Sequence, residues 1–290
     1  MNQLLIRGLK KLKLLKYLNI NGIVNLNNKR FPIPVLQEVG LSNLFISEPW
    51  MIELLKIVLP IEDKVFVDVG VNIGQTLLKL KSVSPEIQYL GFEPNPMCIN
   101  YVDKLISENK FKNTSLIPVG ISNKTEIGVL NFFHESGTDT SASMIAEFRP
   151  DHKVEKKEYI PLFEIEELEK SVMPDSLSVL KIDVEGAEYE VLSSFEPLIK
   201  AKKPIILIEI LPVYNDENVY RIERQDKILE ILFNAGYSIY RVQKENDILI
   251  DLIELSEIEI HSDLNKCDYV MVPDNKKDKF ESYCQQKLKQ

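Results

Sequence analysis

Residues 65–74, VFVDVGVNIG, combine a short apolar run with a glycine-containing turn, and the following QTLLKLKSV has the composition of a helix. Short apolar runs bounded by glycine are typical of buried parallel strands. The stretch therefore predicts a strand, a turn and a helix. Gly70 would let the chain turn sharply and let a ligand approach the backbone without a Cβ in the way. Such a turn indicates a nucleotide or nucleoside site in an open α/β sheet.

The spacing within this turn restricts the ligand. A dinucleotide fingerprint requires glycines two and five positions after Gly70, where the chain has Asn72 and Gln75. The Walker phosphate-binding pattern is also absent from the sequence. A ligand without phosphates fits better, and S-adenosylmethionine is the common one. Asp68 would then face the amino-acid end of this cofactor, with Gly74 in the same turn; alternatively, Asp68 and Asn72 are turn residues that cap their own backbone.

A second strand is predicted in IQYLGFEPNP, which places Glu93 at a strand end 23 residues after Gly70. An acidic residue at about this distance holds the ribose hydroxyls of a nucleotide. The alternative for Glu93 is a solvated loop carboxylate, which its position after a buried run disfavours. Asn95 and Pro96 have the residue types of a helix N-cap and a first helical position.

A third strand is predicted in TSLIPVGIS, with Gly120 and Ile121 at its carboxyl end, where an adenine ring would lie. Further along the chain, IGVLNFF and EYIPLF predict two strands on either side of a polar loop, residues 134–157. A loop of this length is often a lid or the wall of a substrate site.

Residues 177–192, LSVLKIDVEGAEYEVL, predict a strand that ends at Asp183 and a helix that begins around Glu185 or Gly186. Doubly wound sheets place their chemistry at such strand ends. Asp183, Glu185 and Glu188 would bring three carboxylates together, and like charges raise at least one pKa, which suits a general base or a cation site. Alternatively, these acids cap the helix and interact with its dipole.

DVGVNIG, FEPNP and KIDVEGAEYEVL, followed by PIILIEI, resemble the FkbM-type S-adenosylmethionine-dependent methyltransferases over residues 65–210. The resemblance implies a class I methyltransferase fold, which is Rossmann-like, and methyl transfer to a hydroxyl, often on a sugar or a polyketide-like product. The family usually has D-V-G-A-N in the first motif, and Val71 replaces the alanine here. The N-terminal extension and the loop 134–157 do not match.

Methyl transfer to a hydroxyl requires a base within hydrogen-bond reach of the acceptor. Asp183 is the first candidate for this base, Glu185 the second and His134 the third. Lys181, one residue inside the strand, is expected to pair with one of the carboxylates. A divalent cation bridging Asp183 and Glu209 is an alternative way to activate the hydroxyl, although the spacing of ligand residues predicts no metal motif.

Composition favours a soluble globular protein of 290 residues, with 44% hydrophobic and 27% charged residues. A net charge of −9 disfavours nucleic acid as a partner, so we expect a small-molecule or glycan acceptor. The three scattered cysteines indicate a reducing compartment, the cytoplasm, and give neither a disulfide framework nor a zinc site.

The first 20 residues hold five basic residues and no acid. Leu5, Leu9, Leu12 and Leu15 follow helical spacing, which predicts an amphipathic basic helix. Such a helix can lie on an anionic membrane surface, but it is too short and too charged to span one. The alternative, which we favour, is a helix packed on the body of the protein or on a partner.

Three regions are predicted. Residues 1–50 form the basic helix and an irregular lead-in, residues 51–275 the methyltransferase domain and residues 276–290 a charged tail. The domain is expected to have an α/β fold with a doubly wound, mostly parallel sheet, ending in an antiparallel edge pair, YSIYRVQ and CDYVMVP, separated by an acidic insertion. Two rival functions remain: a catalytically silent methyltransferase-like binding module and a nicotinamide-dependent oxidoreductase.

Overall fold

The computed structural model describes residues 3–134, 138, 142–145 and 153–288. Most of the polar loop predicted over residues 134–157 therefore lies outside the described residues. The helices are α1 (Gln3–Lys11), α2 (Pro49–Val58), α3 (Gln75–Val83), α4 (Pro96–Asn109), α5 (Ile165–Val172), α6 (Glu188–Lys202), α7 (Val219–Asn234) and α8 (Lys277–Leu288). None of the described helices is long and apolar enough to cross a membrane.

The strands alternate with these helices through the middle of the chain. They are β1 (Asn19–Leu26), β2 (Lys29–Leu36), β3 (Val65–Val69), β4 (Gln88–Phe92), β5 (Thr114–Ile117), β6 (Gly120–Ile121), β7 (Glu126–Phe132), β8 (Lys156–Phe163), β9 (Val179–Ile182), β10 (Ile205–Glu209), β11 (Tyr237–Glu245), β12 (Ile248–Leu255) and β13 (Asp268–Pro273).

Eight of the strands form one sheet in the order β12-β11-β13-β10-β9-β3-β4-β5. The five strands from β10 to β5 pair in parallel, whereas β13, β11 and β12 pair with their neighbours antiparallel. From β3 the chain builds outward through β4 to β5 and later returns to the other side of β3 as β9. This topological switch point between β3 and β9 is where open α/β sheets bind ligands. The predicted doubly wound, mostly parallel fold is confirmed.

The segment predicted as an acidic insertion contains the edge strand of the sheet. β12 pairs with β11, so the predicted antiparallel pair β11 and β13 does not end the sheet. Asn246 and Asp247, the two residues between β11 and β12, both have left-handed backbone angles, with φ of 51° and 61°. Two such residues form the tight turn that joins adjacent antiparallel strands, which is why the chain folds back here.

The third predicted strand is shorter than expected. β5 ends at Ile117, and Gly120 and Ile121 instead pair with β8 in a separate three-stranded sheet of order β6-β8-β7. Pro118 lies at the break, and a proline has no N–H to donate to a sheet ladder. The two strands predicted around the polar loop are β7 and β8, which pair antiparallel.

Buried side chains cover both faces of the large sheet. One face packs against α2, α3 and α4, and the other against α5, α6 and α7. The N-terminal region belongs to the first of these cores: Ile6 and Leu15 are fully buried there, and β1 and β2 form a hairpin. The described side chains therefore show the N-terminal segment packed on the body. The charged tail contains α8, which Phe280 anchors in the same core. The domain boundaries at 50 and 275 stay a prediction.

Candidate active site

A cavity of about 350 Å³ opens where β3, β4 and β9 end. Its walls come from the segments that follow these strands, from β10 and from the small sheet. Eight of the residues predicted for the site line it: Gly70, Asn72, Glu93, Asn95, Gly120, Ile121, Asp183 and Glu185. Two others, Asp68 and Gly74, do not, and neither does His134.

The turn after β3 depends on glycine at both of its ends. Gly70 has a φ of 91°, and a Cβ placed on it would lie 1.9 Å from the backbone oxygen of Asp183. The loops that follow β3 and β9 are therefore in contact through a position that only glycine fits. Gly74, with a φ of 76°, is the N-cap of α3, and its backbone lies close to Leu105. Gly74 thus shapes the start of the helix instead of the cavity wall.

Glu93 joins the loops that follow β3 and β4. Its carboxylate accepts N–H groups from Asn72 at 2.7 Å and from Asn95 at 2.8 Å. Burial raises the pKa of Glu93 to about 7, although both hydrogen bonds lower it. Asn95 is the N-cap of α4, as predicted, and accepts the N–H of Met97 at 2.9 Å. The prediction that Glu93 holds a ribose stays a prediction.

Although its predicted contact with the amino-acid end of the cofactor stays a prediction, Asp68 does not line the cavity. It is fully buried, accepts a hydrogen bond from the Tyr89 hydroxyl at 2.7 Å and lies 3.4 Å from the Lys181 ammonium. Side chains alternate between the two faces of a strand. Because Val67 and Val69 point into the core that contains α6, Asp68 points to the opposite face, toward α2 and α3.

Lys181 pairs with two carboxylates, which confirms the predicted pairing. Its ammonium lies 3.1 Å from Asp183 and 3.4 Å from Asp68. Burial lowers the pKa of Lys181, but Asp183 and Asp68 raise it more, so the net pKa is above the ordinary value and the side chain is charged. Burial also raises the pKa of Asp183, but Lys181, the hydrogen bond with Glu209 and the charge of Lys79 together lower it more, so Asp183 is a carboxylate near neutral pH.

Glu209 shares a hydrogen bond with Asp183. Burial and then the charge of Asp183 raise the pKa of Glu209, so Glu209 is the protonated member and donates to Asp183. Glu185 completes the group: one oxygen from each of Asp183, Glu185 and Glu209 lies within 4.8 Å of the others. Such a set of oxygens is the kind that holds a divalent cation, but a cation bridging Asp183 and Glu209 stays a prediction.

Helix α6 begins at Glu188, later than predicted. Glu185 and Gly186 have left-handed φ values of 52° and 105°, which a right-handed helix does not contain. Glu188 is buried, accepts the Gly186 N–H at 2.8 Å and does not line the cavity. Asp183 and Glu185 therefore lie in the cluster as predicted, but Glu188 does not, because it stabilises the turn. The third carboxyl group of the cluster is that of Glu209.

Several lining residues were not predicted from the sequence. Glu48 contributes a carboxylate that pairs with the buried Lys79, while Leu130, Ala142 and Met144 form an apolar wall opposite the turn. Glu48 is the residue before α2, a position that by itself gives no sequence signal of a site. The apolar wall comes from the small sheet and the loop beside it, whose position on the large sheet no local pattern indicates.

The Methyltransferase FkbM domain model matches residues 68–239, which is more than half of the chain and includes the cavity's three strand ends. The chain belongs to the FkbM methyltransferase family. The predicted family is thus confirmed. The family model does not cover residues before 68 or after 239. The N-terminal hairpin and β12 therefore lie outside the matched region of this FkbM protein.

Two solved structures that are similar to the FkbM protein are named as methyltransferases. An FkbM methyltransferase from Methylobacillus flagellatus KT has 15% identity and a TM-score of 0.44, with 73% of this chain and 44% of that chain covered. This chain thus spans less than half of that protein. A putative caffeoyl-CoA O-methyltransferase from Staphylococcus aureus has 12% identity and a TM-score of 0.47, with coverage of 80% and 87%.

Fibrillarin from Aeropyrum pernix, in complex with natively bound S-adenosyl-L-methionine, has 12% identity and a TM-score of 0.42, with 87% of this chain and 81% of that chain covered. Comparison with curated proteins gave no match.

The cavity of the FkbM protein has the features that S-adenosylmethionine requires. Gly70 and Asn72 line it with the turn that follows β3, and Glu93 places an acid at the end of β4. Ile121, Leu130 and Met144 offer an apolar surface for an adenine ring. The residues present therefore fit the cofactor.

Proposed function

We propose that this chain transfers the methyl group of S-adenosylmethionine to a hydroxyl of a sugar, a glycoconjugate or a secondary metabolite, with Asp183 as the base. One observation carries the proposal. Asp183 lines the same cavity as the Gly70 turn that would hold the cofactor, its side chain is 38% exposed, and its carboxylate lies 3.1 Å from the Lys181 ammonium, which lowers the pKa of Asp183. A base and a cofactor turn in one cavity are what methyl transfer to a hydroxyl needs.

In this proposal S-adenosylmethionine supplies an electrophilic methyl group on its sulfonium. Held by the turn at Gly70 and by Glu93, it would supply this methyl group to the acceptor oxygen, with S-adenosylhomocysteine as the leaving group and an ether as the product. Asp183 accepts the hydroxyl proton. Lys181 and Glu209 keep Asp183 ionised and oriented through their contacts with its carboxylate. Glu185 is the second candidate for the base.

The charge of the cavity supports an uncharged acceptor. Glu48, Asp183 and Glu185 line it, and its lining cation, Lys181, is already paired with carboxylates. Phosphate or carboxylate groups would be repelled there, whereas hydroxyl groups can donate to carboxylates. We expect the enzyme to act in the cytoplasm, because Cys98 and Cys267 are free and buried, which suits a reducing compartment.

Cofactor preference gives the first test. Isothermal titration calorimetry of the purified chain should show binding of S-adenosylhomocysteine and none of NAD. Binding of neither would favour the silent module, and binding of NAD alone would favour an oxidoreductase. A turnover assay with and without a chelator tests the bridging cation, because turnover that needs a divalent ion would disappear in the chelator.

Substitution of the base tests the mechanism once hydroxylated sugars have been screened for turnover. Asp183→Asn should lower kcat by about 10²- to 10⁴-fold, the range for a general base. Its affinity for S-adenosylhomocysteine should change little, because the cofactor is held by the other loops. Asp175→Asn, remote from the cavity lining, is the matched control and should keep full turnover. Equal loss of turnover and cofactor affinity in Asp183→Asn would refute the assignment.

A further inference from the structure

A stretch of the N-terminal region outside the family match, residues 10–18, exposes almost all of its side chains. Leu15 is fully buried, and every other residue from 10 to 18 is exposed. We call this stretch the basic–apolar segment. Its exposed apolar side chains are Leu12, Leu14, Tyr17 and Leu18, with exposed fractions of 68%, 44%, 71% and 39%. Single exposed apolar residues are ordinary, but a contiguous group of them marks an interaction surface.

The fold holds this segment in place. Leu15 in the segment and Ile6 in α1 are both fully buried in the core that also contains α2 and α3. The chain between these two anchors turns at Lys13, whose φ is 56°. The exposed leucines therefore lie on an anchored stretch of backbone. A rotation of this stretch that buried them would expose Ile6 and Leu15.

The charge of the segment indicates the kind of partner. Lys10, Lys11, Lys13 and Lys16 alternate with the apolar side chains, and none of them has an ion pair in the part of the chain that the structure describes. Residues 1–37 hold seven basic residues and no acidic one, whereas the rest of the chain holds 28 basic and 44 acidic residues. An anionic surface would attract this end of the molecule and repel the remainder.

We infer that the basic–apolar segment docks the protein on an anionic lipid bilayer. Leucine and tyrosine side chains insert at the boundary between headgroups and acyl chains, and long lysine side chains place their ammonium groups among the lipid phosphates. Each lysine near an anionic leaflet adds to the attraction, and the apolar side chains supply the rest. This docking is independent of the proposed chemistry, because the segment does not line the cavity.

Vesicle sedimentation of the full chain tests the inference. The chain should bind vesicles of phosphatidylcholine mixed with phosphatidylglycerol and should not bind phosphatidylcholine alone, and salt should weaken the binding. Leu12→Ser with Leu14→Ser, and separately Lys11→Glu with Lys13→Glu, should each reduce the partition constant by about tenfold or more. Both changes are at exposed positions, and unchanged binding of S-adenosylhomocysteine would show that the fold is intact.

Two matched control variants distinguish binding through this segment from nonspecific binding to vesicles. Ile248→Ser with Ile250→Ser removes exposed apolar side chains from β12, and Lys104→Glu with Lys200→Glu reverses exposed charges elsewhere. Both should bind anionic vesicles as the parent does. The inference fails if anionic vesicles are not bound, if neutral vesicles are bound equally, or if the controls lose as much binding as the segment variants. It also fails if light scattering shows a dimer that Leu12→Ser with Leu14→Ser dissociates.

Discussion

At the scale of single residues, Lys181 balances the charge beneath the cavity. Lys181→Met would leave Asp68 buried without its cation, so the free energy of unfolding should fall by about 3–5 kcal/mol. Lys200→Met removes an exposed ion pair with Glu196 and should cost about 0–1 kcal/mol. Urea denaturation followed by circular dichroism measures both. Similar losses in the two variants would mean that the buried pair contributes no more than a surface one.

Glu188 gives a prediction about pH. Burial is the main cause that raises its pKa from 4.5 to about 7. Because the folded state binds this proton more tightly than the unfolded state, the contribution of Glu188 to stability is lost as pH rises from about 4.5 through about 7. Glu188→Gln cannot ionise, so relative to the parent it should be unchanged near pH 4 and more stable by about 3 kcal/mol near pH 8. Urea denaturation at both pH values tests this, and a pH-independent difference would contradict it.

At the scale of elements, the turn between β3 and α3 depends on its contact with the loop after β9. Gly70→Ala puts a Cβ 1.9 Å from the Asp183 oxygen at a φ of 91°, so it should destabilise the fold by about 2 kcal/mol or more and abolish cofactor binding. Gly8→Ala is the matched control in α1, where nothing lies within 4 Å, and it should stabilise by about 0.5–1 kcal/mol. Thermal denaturation and calorimetry measure both, and wild-type cofactor affinity in Gly70→Ala would exclude this explanation.

Elements could be predicted from the sequence where local signals coincide. The unit of β3, turn and α3 and the strand end at Asp183 each combine an apolar run with glycine or an acid, so most of the cavity wall was predictable. β12 was missed because it lies within an acid-rich stretch, residues 245–263, that resembles a solvated loop, although Asn246 and Asp247 form a turn. The orientation of Asp68 follows from strand alternation, but its partner Lys181 lies on a strand more than 100 residues later.

At the scale of the whole molecule, the cavity lies between the large sheet and the small sheet, which differ in how many apolar side chains they bury. The large sheet contributes to two extensive apolar cores, whereas the small sheet has a separate cluster of four buried residues, Leu130, Phe132, Ile160 and Leu162. Regions with few buried apolar contacts open at lower free energy than the rest of a protein. The apolar wall of the cavity therefore belongs to the less stable part, and cofactor binding would have to order it against the large sheet.

This difference predicts a pattern of hydrogen exchange. Amides of β7 and β8 should exchange at least about tenfold faster than those of β3 and β9, which corresponds to about 1.4 kcal/mol in opening free energy. S-adenosylhomocysteine should slow exchange at Gly120, Ile121 and β8, because Gly120, Ile121 and Leu130 line the cavity and β8 pairs with β6 and β7. The hairpin of β11 and β12, remote from the lining, is the internal control and should show only the global stabilisation that binding gives. Equal slowing in both places would mean that the small sheet does not open separately, and the cavity would then be preformed.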